Sequence, residues 1–155
     1  MRKRRVWRYY CDFCKKALCH HGYMVKHEKR CTMNQDRECK VCKKEKLKGF
    51  SLKDLKIIAR NNENELKQLS EKLDYPFKVQ ENSKDIINEM YDFADYCPMC
   101  VFSALRQDGL LKSIYDDSGV LIKEGYKFSL KEELDEFWKT MREKEEYEDQ
   151  MYYAY

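Results

Sequence analysis

Residues 9–31, YYCDFCKKALCHHGYMVKHEKRC, hold four of the chain's eight cysteines and all three of its histidines. Written as spacing, the stretch is Cys11-x2-Cys14-x12-His27-x3-Cys31. A C-x-x-C turn presents two thiolates about one ion's width apart, and a helix carries residues four apart, here His27 and Cys31, on one face. Four such donors close a tetrahedron around Zn2+ and leave no open position for water, so the site reads as structural and not catalytic. Cys19, His20 and His21 are left over, and Cys19 reads as a spare thiol near the metal.

These ligands resemble the two-cysteine, two-histidine zinc-finger family in its variant with a final cysteine, over residues 9–31 only. The resemblance implies a small ββα unit whose miniature core is Leu18 and Met24. It also implies that His20, Tyr23 and Lys26 face bases in a major groove, with Arg30 and Lys29 near the backbone. A single finger spans only about three base pairs, so it needs a second grip on DNA or RNA. The basic arm Arg2, Lys3, Arg4 and Arg5 lies close enough to supply one.

Two further C-x-x-C pairs follow, Cys39/Cys42 in RECKVCKKE and Cys97/Cys100 in DYCPMCVFS, separated by 54 residues. Four thiolates make one site. The reading is a loop knuckle joined to a pair at a helix N-terminus, where the helix dipole stabilises thiolate charge. A zinc there clips the beginning of a helical insertion to its end. Two Zn2+ per chain are therefore expected. Two alternatives stay open: CPMC resembles the redox dithiols at helix starts of thioredoxin-like proteins, without their β-α-β surroundings, and Cys11/Cys14 can instead join Cys39/Cys42, orphaning His27 and Cys31.

Composition agrees with a metal-stapled protein. With 155 residues, 43% apolar and 38% charged, and a mean hydropathy of −0.89, the core is expected to be thin for the chain length. No run of seven apolar residues follows the basic start, and no later segment is apolar enough to span a bilayer, so a cytoplasmic chain is expected. Thiols in that compartment are more often ligands than bridges. Charge is lopsided: residues 1–50 carry 16 Lys/Arg against 5 Asp/Glu, whereas residues 131–155 carry 4 against 9. The cationic end attracts phosphate backbones.

Along the chain, Ser51 caps a helix bearing Leu52, Leu55, Ile58, Leu66, Leu69 and Leu73, which Pro76 ends. Asn82 or Ser83 caps a second, whose stripe is Ile86, Ile87, Met90, Phe93, Ala94 and Cys97. Pro98 opens a third, stopped at Gly109. KSIYDDSGVLIKEG reads as a hairpin, with Asp116 and Asp117 as turn formers more readily than as Mg2+ ligands. Ser129 and Glu132 box the start of a last helix carrying Leu134, Phe137, Trp138 and Met141.

The expected fold class is mainly α with a small ββα zinc finger and a short β-hairpin. Its parts are a basic arm (1–10), the finger (11–38), a helical zinc-clipped domain (39–142, hairpin near 114–122) and an acidic aromatic tail (143–155). The order of finger, CTMNQDRECKVC, helical insert and CPMCVFSALRQ is similar to small zinc-binding proteins found among bacteriophage genes, which implies a viral or prophage origin and carries no activity. No Gly-rich phosphate loop or isolated histidine marks a catalytic residue, so none is assigned and the chain is read as non-enzymatic. Two functions remain. One is nucleic-acid binding, as a phage-encoded regulatory or accessory factor, with Trp7, Tyr9, Tyr10 and Tyr23 as stacking surfaces. The other is a protein-binding adaptor or assembly factor that docks through the terminal helix and tail. Phe137 and Trp138 leave room for a dimer.

Overall fold

A computed structural model describes residues 7–47, 51–61, 79–115, 121–123 and 125–153. Strands β1 (Tyr9–Tyr10) and β2 (Ala17–Leu18) pair antiparallel, Tyr9 opposite Leu18 and Tyr10 opposite Ala17. Helix α1 (His21–Glu28) packs on both. Buried Met24 and half-buried Leu18 meet Cys11, Cys14, Cys31 and Met33 in the unit's own core. At about 1.5–3 kcal/mol per fully buried large apolar side chain, so few residues cannot offset the ordering entropy of the unit.

The rest is a helical body. Helix α2 (Lys40–Lys44) is followed by α3, the helical residues 52–61, then α4 (Val79–Phe93), α5 (Pro98–Gln107) and α6 (Leu130–Tyr153). Between the last two, β3 (Ile114–Tyr115) pairs antiparallel with β4 (Leu121–Lys123), with an irregular register. The fold is thus mainly helical with small antiparallel strand pairs.

Helix α5 is the centre. Its Pro98, Cys100, Val101, Ser103, Ala104 and Leu105 are buried, and α4 and α6 pack against it. Pro98 occupies the first turn, where its missing N–H is no loss. At the other end Gly109 takes φ 73°, and the amides of Gly109 and Leu110 donate to the carbonyls of Arg106 (3.2 Å) and Leu105 (2.9 Å), a Schellman stop. Ser51 caps α3 by accepting the Lys53 N–H at 3.2 Å, and Leu52, Leu55 and Ala59 enter the core. Lys56 (3.3 Å) and Arg60 (2.9 Å) converge on the Asp108 carboxylate, tying α3 to the end of α5.

Two elements, α4 and α6, depart from the sequence reading. Helix α4 begins at Val79, ahead of Asn82 and Ser83, because a cap preference is a weak prior that helical context overrides. Phe93, placed in the buried stripe, is exposed at the last turn, whereas Ile86, Met90, Ala94 and Cys97 are buried. Residues 143–153, read as a tail, continue α6 as helix. Loss of an apolar stripe signals exposure, not loss of helix, and Glu, Lys, Gln and Met are strong helix formers. Leu134, Phe137 and Trp138 pack on the core, and Lys44 Nζ lies 4.3 Å over the Trp138 ring. Leu66, Leu69, Leu73, Pro76, Asp116 and Asp117 lie outside the described residues. Among the described residues no helix is long and apolar enough to cross a membrane.

Gly125 is demanded by close approach: a Cβ there would sit 2.6 Å from the Leu111 carbonyl carbon and oxygen. Its amide donates to Ser113 Oγ at 3.1 Å, and the next amide, of Tyr126, to the Leu110 carbonyl at 2.8 Å. Gly125→Ala is therefore expected to lower stability by about 1–3 kcal/mol, the usual range for overpacking. Denaturant unfolding checks it, and an unchanged midpoint would contradict this packing.

Candidate metal centres

The first C-x-x-C pair sits on the turn after β1. The Cys11 amide donates to the Lys16 carbonyl (2.9 Å) and the Lys15 amide to the Cys11 carbonyl (3.0 Å), with Lys15 in the left-handed region at φ 61°. This turns both sulfurs toward α1. His27 lies in the last turn of α1, and its Nε2 is 3.2 Å from Cys14 Sγ. Cys31 lies beyond the helix, which ends at Glu28. The amides of Arg30 and Cys31 bond three residues back, to His27 (3.0 Å) and Glu28 (3.3 Å), so a tight turn and not a continuous helix brings His27 and Cys31 together.

The second cluster has a near-symmetric plan. Cys39 is the N-cap of α2 and Cys97 the N-cap of α5; Cys42 and Cys100 each stand three residues later in the same helices. The knuckle expected as a loop is thus a helix start, too short for periodicity to reveal. Cap faces cap, with Cys39 Sγ 3.6 Å from Cys97 Sγ, and Cys42 Sγ is 3.5 Å from Cys100 Sγ. Chain reversal into α5 uses consecutive left-handed residues, Asp95 (φ 49°) and Tyr96 (φ 58°), each costing about 1–2 kcal/mol outside glycine. Bonds from Tyr96 N–H to the Tyr91 carbonyl (2.9 Å) and from Tyr96 hydroxyl to Asp92 (2.6 Å) hold the reversal.

All four donors of each set, Cys11, Cys14, His27 and Cys31 in one and Cys39, Cys42, Cys97 and Cys100 in the other, lie within 4.8 Å of one another. Each set can hold a metal ion. A tetrahedral ion with metal–sulfur bonds of about 2.3 Å separates its sulfurs by about 3.8 Å, close to the observed spacings. A disulfide needs about 2.05 Å, and all eight cysteines are free thiols. Neither the redox-dithiol alternative nor the Cys11/Cys14–Cys39/Cys42 pairing matches this grouping. Cys19 is exposed and in neither set.

Proton affinities show why a cation suits the second set. Hydrogen bonds from Cys100 hold Cys39 well below the ordinary thiol range and also lower Cys42, while Cys100, bonded to Cys39, Cys42 and Cys97, is driven far above it. Four thiolates this close repel unless a divalent ion neutralises them. In the first set burial acts to raise the Cys14 thiol, but bonds from the Lys16 amide and from His27, Cys31 and Cys11 outweigh it and leave Cys14 at about 6. Burial pushes Cys31 up to about 11, against the Met33 amide.

The expected nucleic-acid contacts His20, Tyr23, Lys26 and Arg30 are all exposed. His20 caps α1 and packs edge-on against Tyr23, ring centroids 5.6 Å apart; Lys26 is one turn on, and Arg30 follows the helix. Arg2, Lys3, Arg4 and Arg5 lie outside the described residues. What the spacing did not reveal is a joint between the two sets. Gln107 Nε2 donates to the carbonyls of Thr32 (2.8 Å) and Asn34 (3.1 Å), Arg106 to Thr32 Oγ1 (2.9 Å), and Arg37 to the Met99 carbonyl (3.2 Å). Asn34 Nδ2 also closes the end of α1 through the Glu28 carbonyl at 2.9 Å. Comparison with protein-family models, curated proteins and solved structures finds no match to this chain.

Two metals per chain are expected by elemental analysis. Cys14→Ser should remove one and leave the helical body folded; Cys97→Ser should remove the other and unfold that body. Because Cys31 holds its proton at pH 7 and Cys14 does not, metal uptake at the first set should release protons and tighten as pH rises. Calorimetry in buffers of different ionisation enthalpy reads this directly, and heats independent of buffer would contradict it.

Proposed function

We propose that the chain is a zinc-dependent nucleic-acid-binding protein, its two sets each holding one structural Zn2+. The donor types support zinc: closed tetrahedra of three cysteines with one histidine, or of four cysteines, are its structural sites. One observation carries the nucleic-acid reading. The finger is held on the body by the Thr32–Arg37 joint and carries Arg8, Lys16, Lys26, Lys29 and Arg30 outside its core, at the end of the chain with 16 Lys/Arg against 5 Asp/Glu. A concentrated positive field on an ordered unit attracts phosphates and falls off with salt. A regulatory or accessory role in a phage-infected bacterium belongs to the same proposal and rests on the resemblance of CTMNQDRECKVC and CPMCVFSALRQ to phage-encoded strings.

A second reading, a protein-binding adaptor, draws on a groove of about 660 Å³ beside the second metal set. Tyr91, Tyr96 and Phe137 line it together with Asp92, Glu133 and Glu136, a surface suited to a basic partner.

Polarisation titrations with random oligonucleotides at two salt concentrations separate the readings. Nucleic-acid binding is expected to weaken steeply with salt. Replacing Arg2, Lys3, Arg4 and Arg5 by alanine should lower the log–log slope by up to about 3–4, at roughly 0.9 for each phosphate no longer neutralised. Truncation after Arg142 should leave that binding intact. Binding without salt dependence, or none at all, would overturn the first reading in favour of the adaptor.

A further inference from the structure

We propose that the finger takes single-stranded nucleic acid, stacking unpaired bases on exposed rings in preference to reading base edges in a duplex groove. This inference rests on the nucleic-acid reading above and names its substrate class.

The finger keeps its aromatic residues on the outside. Its apolar core consists of Cys11, Cys14, Cys31, Leu18, Met24 and Met33, with no Phe, Tyr or Trp in it. All five aromatics of residues 7–33 other than histidine are outside: Trp7 is 89% exposed, Tyr23 65%, Tyr10 61%, and Phe13 and Tyr9 also lie in the exposed class. Scattered surface aromatics need no explanation, but five within 17 residues form a concentration that burial would ordinarily remove.

Two of these rings are held in place by histidines. Tyr9 meets His21 edge-on at 5.4 Å, and His20 meets Tyr23 edge-on at 5.6 Å. Both pairs stand at the start of α1, and Trp7 lies two residues upstream of Tyr9. Such contacts preorganise the rings, so less freedom is lost when a base lands on them. Around them residues 7–31 carry six Lys/Arg against two Asp/Glu, enough to hold a phosphate backbone.

The composition of α1 weighs against groove reading. Bidentate base recognition in a duplex relies chiefly on Arg, Asn and Gln. Residues 20–28, HHGYMVKHE, contain none of the three, and Lys26 alone offers a donor suited to guanine. A ring face cannot reach a base that is already stacked on its neighbours. It can stack on one splayed from a single strand, with little dependence on sequence.

The test titrates the full-length metal-loaded chain against three labelled oligonucleotides: a mixed-sequence DNA strand, the same sequence as RNA, and the DNA duplex. Single strands are expected to bind at least about tenfold more tightly than the duplex. Trp7→Ala and Tyr23→Ala, both at exposed positions, should each weaken single-strand binding about tenfold with the salt slope unchanged, since no charge is removed. Metal content, measured in parallel, should stay the same. DNA and RNA strands should agree within about threefold, because ring faces do not read the 2′-hydroxyl. A duplex bound as tightly as the strands, ring variants without effect, or a strong preference for one sugar would overturn this inference and leave the nucleic-acid reading standing. No binding to any of the three would overturn both.

Discussion

Four sulfurs at the start of two helices converge on one point of the body. Cys39 and Cys97 are the N-caps of α2 and α5, and Cys42 and Cys100 follow one turn later, so the starts of two helices, with their dipoles, converge on the same four sulfurs. Thiolates there would be stabilised twice, by the helices behind them and by an ion bound between them. The span they close contains α3 and α4 and covers 54 residues. Closing it costs on the order of 3–4 kcal/mol of chain entropy beyond a constant, a cost that a metal bound there would help to offset. The left-handed pair Asp95–Tyr96 fits this setting: backbone strain persists where surrounding bonds over-determine the geometry.

From that clip the structure extends outward through α5. The same helix whose start carries Cys97 and Cys100 offers Arg106 and Gln107 from its last turn to the chain leaving the first cysteine–histidine unit. The Met99 carbonyl, next to Cys100, receives Arg37. The N-terminal unit is therefore positioned by one helix that also carries two of the body's four candidate metal ligands. Disturbing the clip would reach the finger's orientation through these bonds without touching its ligands. Charge follows the same division, with a cationic N-terminal unit at one end of the chain and the exposed, mostly acidic residues 142–149 of α6 towards the other.

Much of this was legible because the informative signals are local. Cys11, Cys14, His27 and Cys31 reveal themselves by spacing, and Ser51, Pro98 and Gly109 mark helix ends by the conformations their side chains favour or forbid. Met24 and Leu18 fall where the finger resemblance put them. Signals failed where the decisive contact was distant or the element short. Gln107 meets Thr32 across 75 positions through a backbone carbonyl, which no residue pattern encodes. Helix α2 has five residues, fewer than two turns, so it shows no periodicity. The later part of α6 has periodicity of the wrong kind: residues 142–149 are exposed all round, and an apolar stripe reports burial only.

Amide hydrogen exchange of the full chain, before and after complete chelation, probes the clip most directly. Val101, Ala104 and Leu105, fully buried in α5, are expected to lose most of their protection together when the metal leaves and to regain it when zinc is restored. If those amides stayed protected while all eight thiols reacted freely, apolar packing alone would be holding the body, and the metal would have no structural part in it.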